Sequence, residues 1–105
     1  PSIVATDAVV AYRAALWFWM TPQSPKPSCH AVMSGEWAPT AQDEALKRAA
    51  GFGMTTNIIN GGLECNQPTN AKVEDRVGFY RRYAGILGVS LDESTLYCDQ
   101  MTSYR

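Results

Sequence analysis

Apolar positions recur at intervals of three and four in two stretches of this chain, and helix start and stop signals frame both. In the first, Val9, Val10, Leu16, Trp17 and Met20 follow Thr6 and Asp7, either of which caps a helix, and Thr21-Pro22 ends it. In the second, Val73, Val77, Tyr80, Ala84 and Leu87 share one side of a long helix that starts at Thr69 or Asn70 and stops at Gly88, with Glu74, Arg81 and Arg82 opposite. Between them, Pro22 to Pro27 carries three prolines in six residues and reads as an extended surface loop. Ser28 caps a short helix that Gly35 stops. Thr40-Ala41-Gln42-Asp43 has the form of a capping box, and Ala45, Leu46 and Ala49 extend it for about two turns to the breaker Gly51-Phe52-Gly53. The stretch Thr55 to Cys65 is undecided by period, because Ile58 and Ile59 are β-branched and Gly61-Gly62 weakens helix and strand alike. The tail from Val89 is turn-prone at Ser90, Asp92 and Ser94 and is expected to be held down by Cys98. No segment alternates cleanly, and no repeat or low-complexity tract interrupts the chain, so the fold reads as all-α.

Composition narrows the class. At 105 residues, 46% hydrophobic and 18% charged, the chain fits a single globular domain spanning 1-105 with a modest core. A net charge of -1, from nine basic against ten acidic residues, offers no basic stripe and disfavours nucleic acid. No apolar run approaches the ~20 residues of a membrane span, and Ala14 to Met20 is too short for a signal-peptide core, so no membrane partner is expected and the chain reads as mature or already cut. Three cysteines imply one bridge and one leftover thiol, and composition does not choose among the three pairings. The single histidine, His30, excludes a two-histidine metal site; nothing has zinc spacing, and a helix-start hydrogen bond suits it better. Neither glycine cluster is followed by Lys-Ser/Thr, so no phosphate loop is present, and no cofactor is implied.

The run Thr55-Thr56-Asn57-Ile58-Ile59-Asn60-Gly61-Gly62-Leu63-Glu64-Cys65 places one carboxylate in an otherwise uncharged segment. Ionised Glu64 in apolar surroundings costs several kcal/mol unless a cation or several donors meet it, and Arg76 is the evident partner. An arginine there depresses the acid's pKa, which makes Glu64 a fixed anion and a poor proton donor. The other carboxylates, among them Glu36, Asp43, Glu44, Glu74, Asp75, Asp92, Glu93 and Asp99, lack an apolar local sequence that would raise a pKa. Tyr12, Trp17, Phe18 and Trp19 are read as core in preference to a sugar-stacking platform, Trp37 as a more exposed aromatic without a role, and Asn57 as readily a structural amide as a binding one.

This run resembles, nearly residue for residue, a signature segment of plant chitinases of glycoside hydrolase family 19. The likeness extends upstream to Trp17-Phe18-Trp19-Met20-Thr21-Pro22-Gln23-Ser24-Pro25-Lys26-Pro27-Ser28-Cys29-His30 and downstream to the helix Val73 to Tyr83. Ala31 and Glu36 stand where members differ, away from the matched binding positions. The resemblance implies a helical, lysozyme-like architecture, of which this chain is the carboxy-terminal lobe, and it assigns Thr55 to Cys65 to a helix. It pairs Cys65 with Cys98, closing a loop worth about 3–4 kcal/mol on a chain-entropy model, and leaves Cys29 as a buried or capping thiol.

The activity implied is inverting endo-hydrolysis of β-1,4-linked N-acetylglucosamine in chitin, as in plant defence. Asn60 matches a residue that hydrogen-bonds the acetamido sugar, Ile59 lines the same groove, and Gln23 and Lys26 match residues that close over the substrate. Glu64 and Arg76 match a pair that orders the surroundings of the catalytic acid. The general acid and base lie in the family's amino-terminal lobe, which these residues do not include, so no catalytic residue is expected here and the 105-residue chain is expected to be inactive alone. Two other readings follow: a chitin-oligosaccharide-binding protein without hydrolytic activity, and a stable proteolytic remnant. The missing lobe or self-association would cover an apolar face. Cysteines and resemblance place the protein outside the cell, or in the vacuole.

Overall fold

A computed structural model describes residues 2–104. Six α-helices follow one another: α1 Ser2–Thr6, α2 Ala8–Met20, α3 Cys29–Ser34, α4 Ala41–Ala45, α5 Phe52–Glu64 and α6 Ala71–Leu87, with a 3-10 turn at Glu93–Thr95. The described residues form no strand beyond an isolated bridge, and the all-α expectation holds.

Most helix ends follow the sequence signals. The Asp7 carboxylate accepts the N–H groups of Val9 and Val10, Ser28 Oγ that of Ala31, and Asn70 Oδ1 that of Val73. Thr40 and Asp43 close a reciprocal capping box. Gly35 and Gly88 end their helices in left-handed conformation, at φ 84° and 70°. Helix α4 is shorter than expected. Lys47, at φ 64°, takes the left-handed position itself, and the N–H groups of Lys47 and Arg48 turn back to the carbonyls of Glu44 and Asp43. That closure stops the helix before Ala49.

Helix α5 starts earlier than the glycines suggest. Gly51 is its N-terminal flank, at φ 140°, and Phe52 and Gly53 lie inside it. A methyl group on Gly53 would overlap the Tyr97 carbonyl, and one on Gly51 would overlap Thr95. These glycines therefore admit the returning tail against the helix; they are not breakers. Phe52 to Ile58 are buried without interruption, which explains the missing period: a helix covered on all sides has no polar face to mark it.

Two clusters pack around α5. Cys29, Val32, Met54, Ile58, Cys65, Cys98, Met101 and Tyr104 form one, joined by Phe18, Trp19 and Trp37. Phe52, Val73, Val77 and Leu96 form the other, with Tyr80 stacked on Phe52 at 4.1 Å. The tail is thus part of the core. Cys65 and Cys98 are disulfide-bonded, and Cys29 is fully buried, so desolvation of its thiolate pushes its pKa up to about 11. The proline-rich segment is not extended: Gln23 and Lys26 exchange both backbone hydrogen bonds across a cis Ser24-Pro25 peptide, making a tight turn.

Of the aromatics read as core, Tyr12 and Trp17 are not in it. Val9, Tyr12, Leu16, Trp17 and Met20 are all exposed, because within the described residues nothing lies over that face. Leu87, expected on the buried side of α6, is exposed with Phe79, Tyr83, Ile86 and Val89. Of the aromatic group at the end of α2, only Phe18 and Trp19 reach the core.

The Cys65–Cys98 bridge closes a separation of 33 residues around α6 and ties the tail to the end of α5. Replacing Cys98 by Ser is expected to lower unfolding free energy by about 3–4 kcal/mol in urea titrations under non-reducing conditions. A loss below ~1 kcal/mol would show that noncovalent packing alone holds the tail.

Candidate functional site

Helix α5 carries the site at its C-terminal end, where its backbone departs from helical geometry at Asn60, with φ -154° and ψ 41°. Glu64 is only 3% exposed. Its Oε1 accepts a hydrogen bond from Arg76 Nη1 at 2.6 Å, and its Oε2 accepts one from Asn60 Nδ2 at 3.0 Å. The carboxylate thus has a partner on each oxygen, as a buried charge requires. The Arg76 hydrogen bond is the main cause holding the Glu64 pKa below its ordinary value, with Asn60 and the charges of Arg76 and Lys72 adding to it against desolvation.

An open concavity of about 320 Å³ lies beside this network, lined by Asn60, Leu63, Glu64, Asn70, Ala71 and Lys72. That is at the small end of the range for ligand pockets. Lys72 was not singled out from the sequence, although its place one turn before Arg76 puts both cations on neighbouring positions of α6. Leu63 is exposed, and Ile59 is exposed at 39%.

Lys26 is drawn toward the same stretch of α5. Its Nζ donates to the Ile58 carbonyl at 3.0 Å, which anchors the proline-rich turn to the helix one residue before Ile59. Gln23 is exposed on that turn and shares a small crevice with Phe18, Thr21, Lys26, Pro27 and Ile58. The Gln23–Lys26 turn is therefore joined to Ile58, while Asn60 and Arg76 both donate to Glu64 further along the helix.

Several other carboxylates are occupied elsewhere. Asp43 pairs with Arg48 at 3.3 Å and is held below the ordinary range, first by the Thr40 N–H. Asp92 is lowered by Ser94, Glu74 accepts from the Tyr97 hydroxyl at 2.7 Å, and Glu93 pairs with exposed Arg81. His30 meets the Glu36 carboxylate at 3.3 Å instead of a backbone group. The displaced carboxyls, Asp43, Glu64 and Asp92, all move down, whereas a proton donor near neutral pH must move up. Among the described residues, no group of three or more His, Cys, Asp or Glu side chains is arranged to hold a metal, and no helix is long and apolar enough to cross a membrane.

The chain is similar to plant endochitinases over its whole length. It is 58% identical over 104 residues to the basic 30 kDa endochitinase of Solanum lycopersicum, covering 99% of this chain and 32% of that one. It is 62% identical over 105 residues to endochitinase 3 of Nicotiana tabacum, covering 100% of this chain and 31% of that one. Endochitinase 1 of Theobroma cacao is 57% identical over 105 residues, again 100% of this chain and 32% of the relative. The chain spans about a third of the length of the curated relatives it matches. The family model of glycoside hydrolase 19, described as chitinase class I, matches residues 1–98. With that match over nearly all of its length and a helical architecture to go with it, the chain belongs to glycoside hydrolase family 19, whose fold is lysozyme-like.

Proposed function

We propose that this chain forms one wall of an endochitinase cleft, as the carboxy-terminal lobe of a family 19 catalytic domain. The observation that carries the reading is the buried Glu64 carboxylate, fixed between Arg76 and Asn60 at the edge of an open concavity. In this reading Asn60 and Ile59 contact an N-acetylglucosamine unit of chitin. An amide offers donor and acceptor to a neutral acetamido group, for which a charged side chain is poorly matched. Gln23 and Lys26 project from the proline-rich turn toward the same polymer. One of the three Lys26 donors already holds Ile58, so the turn is braced before substrate arrives.

Glu64 and Arg76 are supports in this scheme. Inverting hydrolysis needs one protonated carboxyl and one carboxylate about 6.5–9.5 Å apart, with water between them and the sugar. A carboxyl held low by an arginine cannot serve as the acid. The acid and base are assigned to chain outside these 105 residues, and the exposed stripes on α2 and α6 to contact with that missing lobe. A disulfide supports an oxidising location, either the extracellular space or the vacuole.

Incubated with N-acetylglucosamine tetramer to hexamer, the purified chain is expected to release no shorter product, as followed by chromatography. Calorimetry or NMR titration should detect binding near the millimolar range, since half a cleft covers half a ligand, and Asn60→Ala should remove it. Turnover by the isolated chain would overturn the division of labour. Absence of any binding would favour a proteolytic remnant.

The support role has a pH signature. A folded pKa lower than the unfolded value of 4.5 gives a contribution that is full above that value and is lost as pH falls through the folded pKa. Glu64→Gln should therefore destabilise the chain by about 1–2 kcal/mol at pH 7, discounted because Arg76 keeps a solvent-facing side. The gap between variant and parent in urea midpoint should narrow from pH 6 toward pH 3. A constant gap would mean that Glu64 is not an ionised support.

The exposed stripes predict association. Sedimentation velocity at increasing concentration should show species larger than the monomer, reduced by Trp17→Ser together with Leu16→Ser. A strictly monomeric chain at millimolar concentration would remove the argument for a covering lobe.

A further inference from the structure

The break in α5 at Asn60 has a clamp on each side, and only one involves a residue already assigned a role. On the first side Lys26 Nζ engages the Ile58 carbonyl. On the other lies the chain's own tail. Asn57, fully buried, directs its Nδ2 to the Thr102 carbonyl at 3.2 Å and to Met101 Sδ at 3.6 Å. Because a carbonyl only accepts, this contact fixes which way the amide points. Its Oδ1 is left without a donor among the described residues and lies against Gly61. A methyl group on Gly61 would overlap that oxygen and come within 3.3 Å of Ser103 Cβ.

The tail that presses here is itself held. Arg48 Nε donates to the Thr102 carbonyl at 3.0 Å and Nη2 to the Ser103 carbonyl at 3.1 Å, while the guanidinium lies 3.8 Å from the Tyr104 ring centroid. The Thr102 N–H donates to the Leu46 carbonyl at 3.0 Å. This anchorage is independent of the disulfide. The contact with Gly61 and the Thr102 carbonyl leaves the Asn57 amide a single orientation against the break.

We propose that Asn57 and Gly61, braced by the Met101–Tyr104 segment, are positioning residues that set the break at Asn60 and so aim Asn60 and Glu64 at the concavity. Asn57 and Gly61 stand one turn apart on either side of the break, so their spacing fixes where regular helix gives way. Glu64 lies one turn after Asn60, and the Asn60–Glu64 hydrogen bond depends on the direction in which the helix leaves the break. The inference rests on the reading of this concavity as the sugar site, but it concerns the geometry of the free chain.

The test is made without sugar, by NMR on the 105-residue chain, following the titration of the Glu64 side-chain carboxyl and the side-chain amide signals of Asn60, with thermal unfolding recorded in parallel. Gly61→Ala should move the Glu64 midpoint upward and shift or broaden the Asn60 amide signals. Arg48→Gln, remote from the concavity, loosens the tail while Asn57 and Gly61 stay in place, and should move both signals in the same directions. If either variant is folded and only its melting temperature falls, with Glu64 and Asn60 unchanged, the two residues are structural and the proposal is overturned. Should Gly61→Ala fail to fold, Arg48→Gln decides alone. Failure of the wild-type chain to bind oligosaccharide would count against the functional reading and leave this result intact.

Discussion

A carboxylate with almost no contact with water has to be paired, and the pairing of Glu64 organises the end of the structure that faces the concavity. Left alone, the ionised group would cost several kcal/mol. Arg76 supplies a charged hydrogen bond from α6, and Asn60 supplies a neutral one from the preceding turn of α5. Each partner constrains an element: α6 must pass close to the end of α5, and Asn60, one turn before Glu64 on α5, must present its amide to the second oxygen. Lys72, one turn before Arg76, adds a further positive charge nearby. The result is an acid that stays ionised and side chains with little freedom to move.

The same stretch depends on the tail. Because α5 is enclosed on all sides from Phe52 to Ile58, the cover from α3 and α6 is completed by the chain after α6: Leu96 in one cluster, Cys98, Met101 and Tyr104 in the other. Gly51 and Gly53 are the points where the two segments touch too closely for a side chain, while Gly61 makes room for Asn57 of the same helix. Arg48 ties this cover to the closing turn of α4, where it also meets Asp43. The solvent-facing elements α1 and α2 contribute little more than Phe18 and Trp19 to the core, and their remaining apolar surface is open.

Much of this was legible where a local rule was enough. Asp7, Ser28, Thr40 and Asn70 cap helices because short polar side chains satisfy free N–H groups, and Gly35 and Gly88 end them because they accept positive φ. Glu64 and Arg76 could be paired from the sequence because a charge in an apolar run demands a partner. Failures came where a distant segment decides the matter. Gly51 and Gly53 look like breakers until Thr95 and Tyr97 are seen against them. Lys47 stops α4 without a glycine to announce it. The stripe on α2 showed which face is apolar, but a period does not state what covers it. Asn57 stands open between a structural and a binding amide until its Nδ2 is found on the Thr102 carbonyl.

In the proposed reading of this chain as one wall of a cleft, the chemistry of Arg76 suits a supporting ion pair. A guanidinium has five N–H donors, and a single short hydrogen bond goes from Arg76 to Glu64. Its charge is balanced by that anion, so retaining it beside the concavity costs less than an unpaired cation would. Donors on a side chain 28% exposed would remain available to a second carboxylate if the proposed missing lobe supplied one. Such a carboxylate would meet a donor whose position is already set by Glu64, and its own pKa would then depend on how far it sits from Arg76. On that reading the cleft would separate two demands that conflict in one side chain: an anion that must never change its charge, and an acid that must.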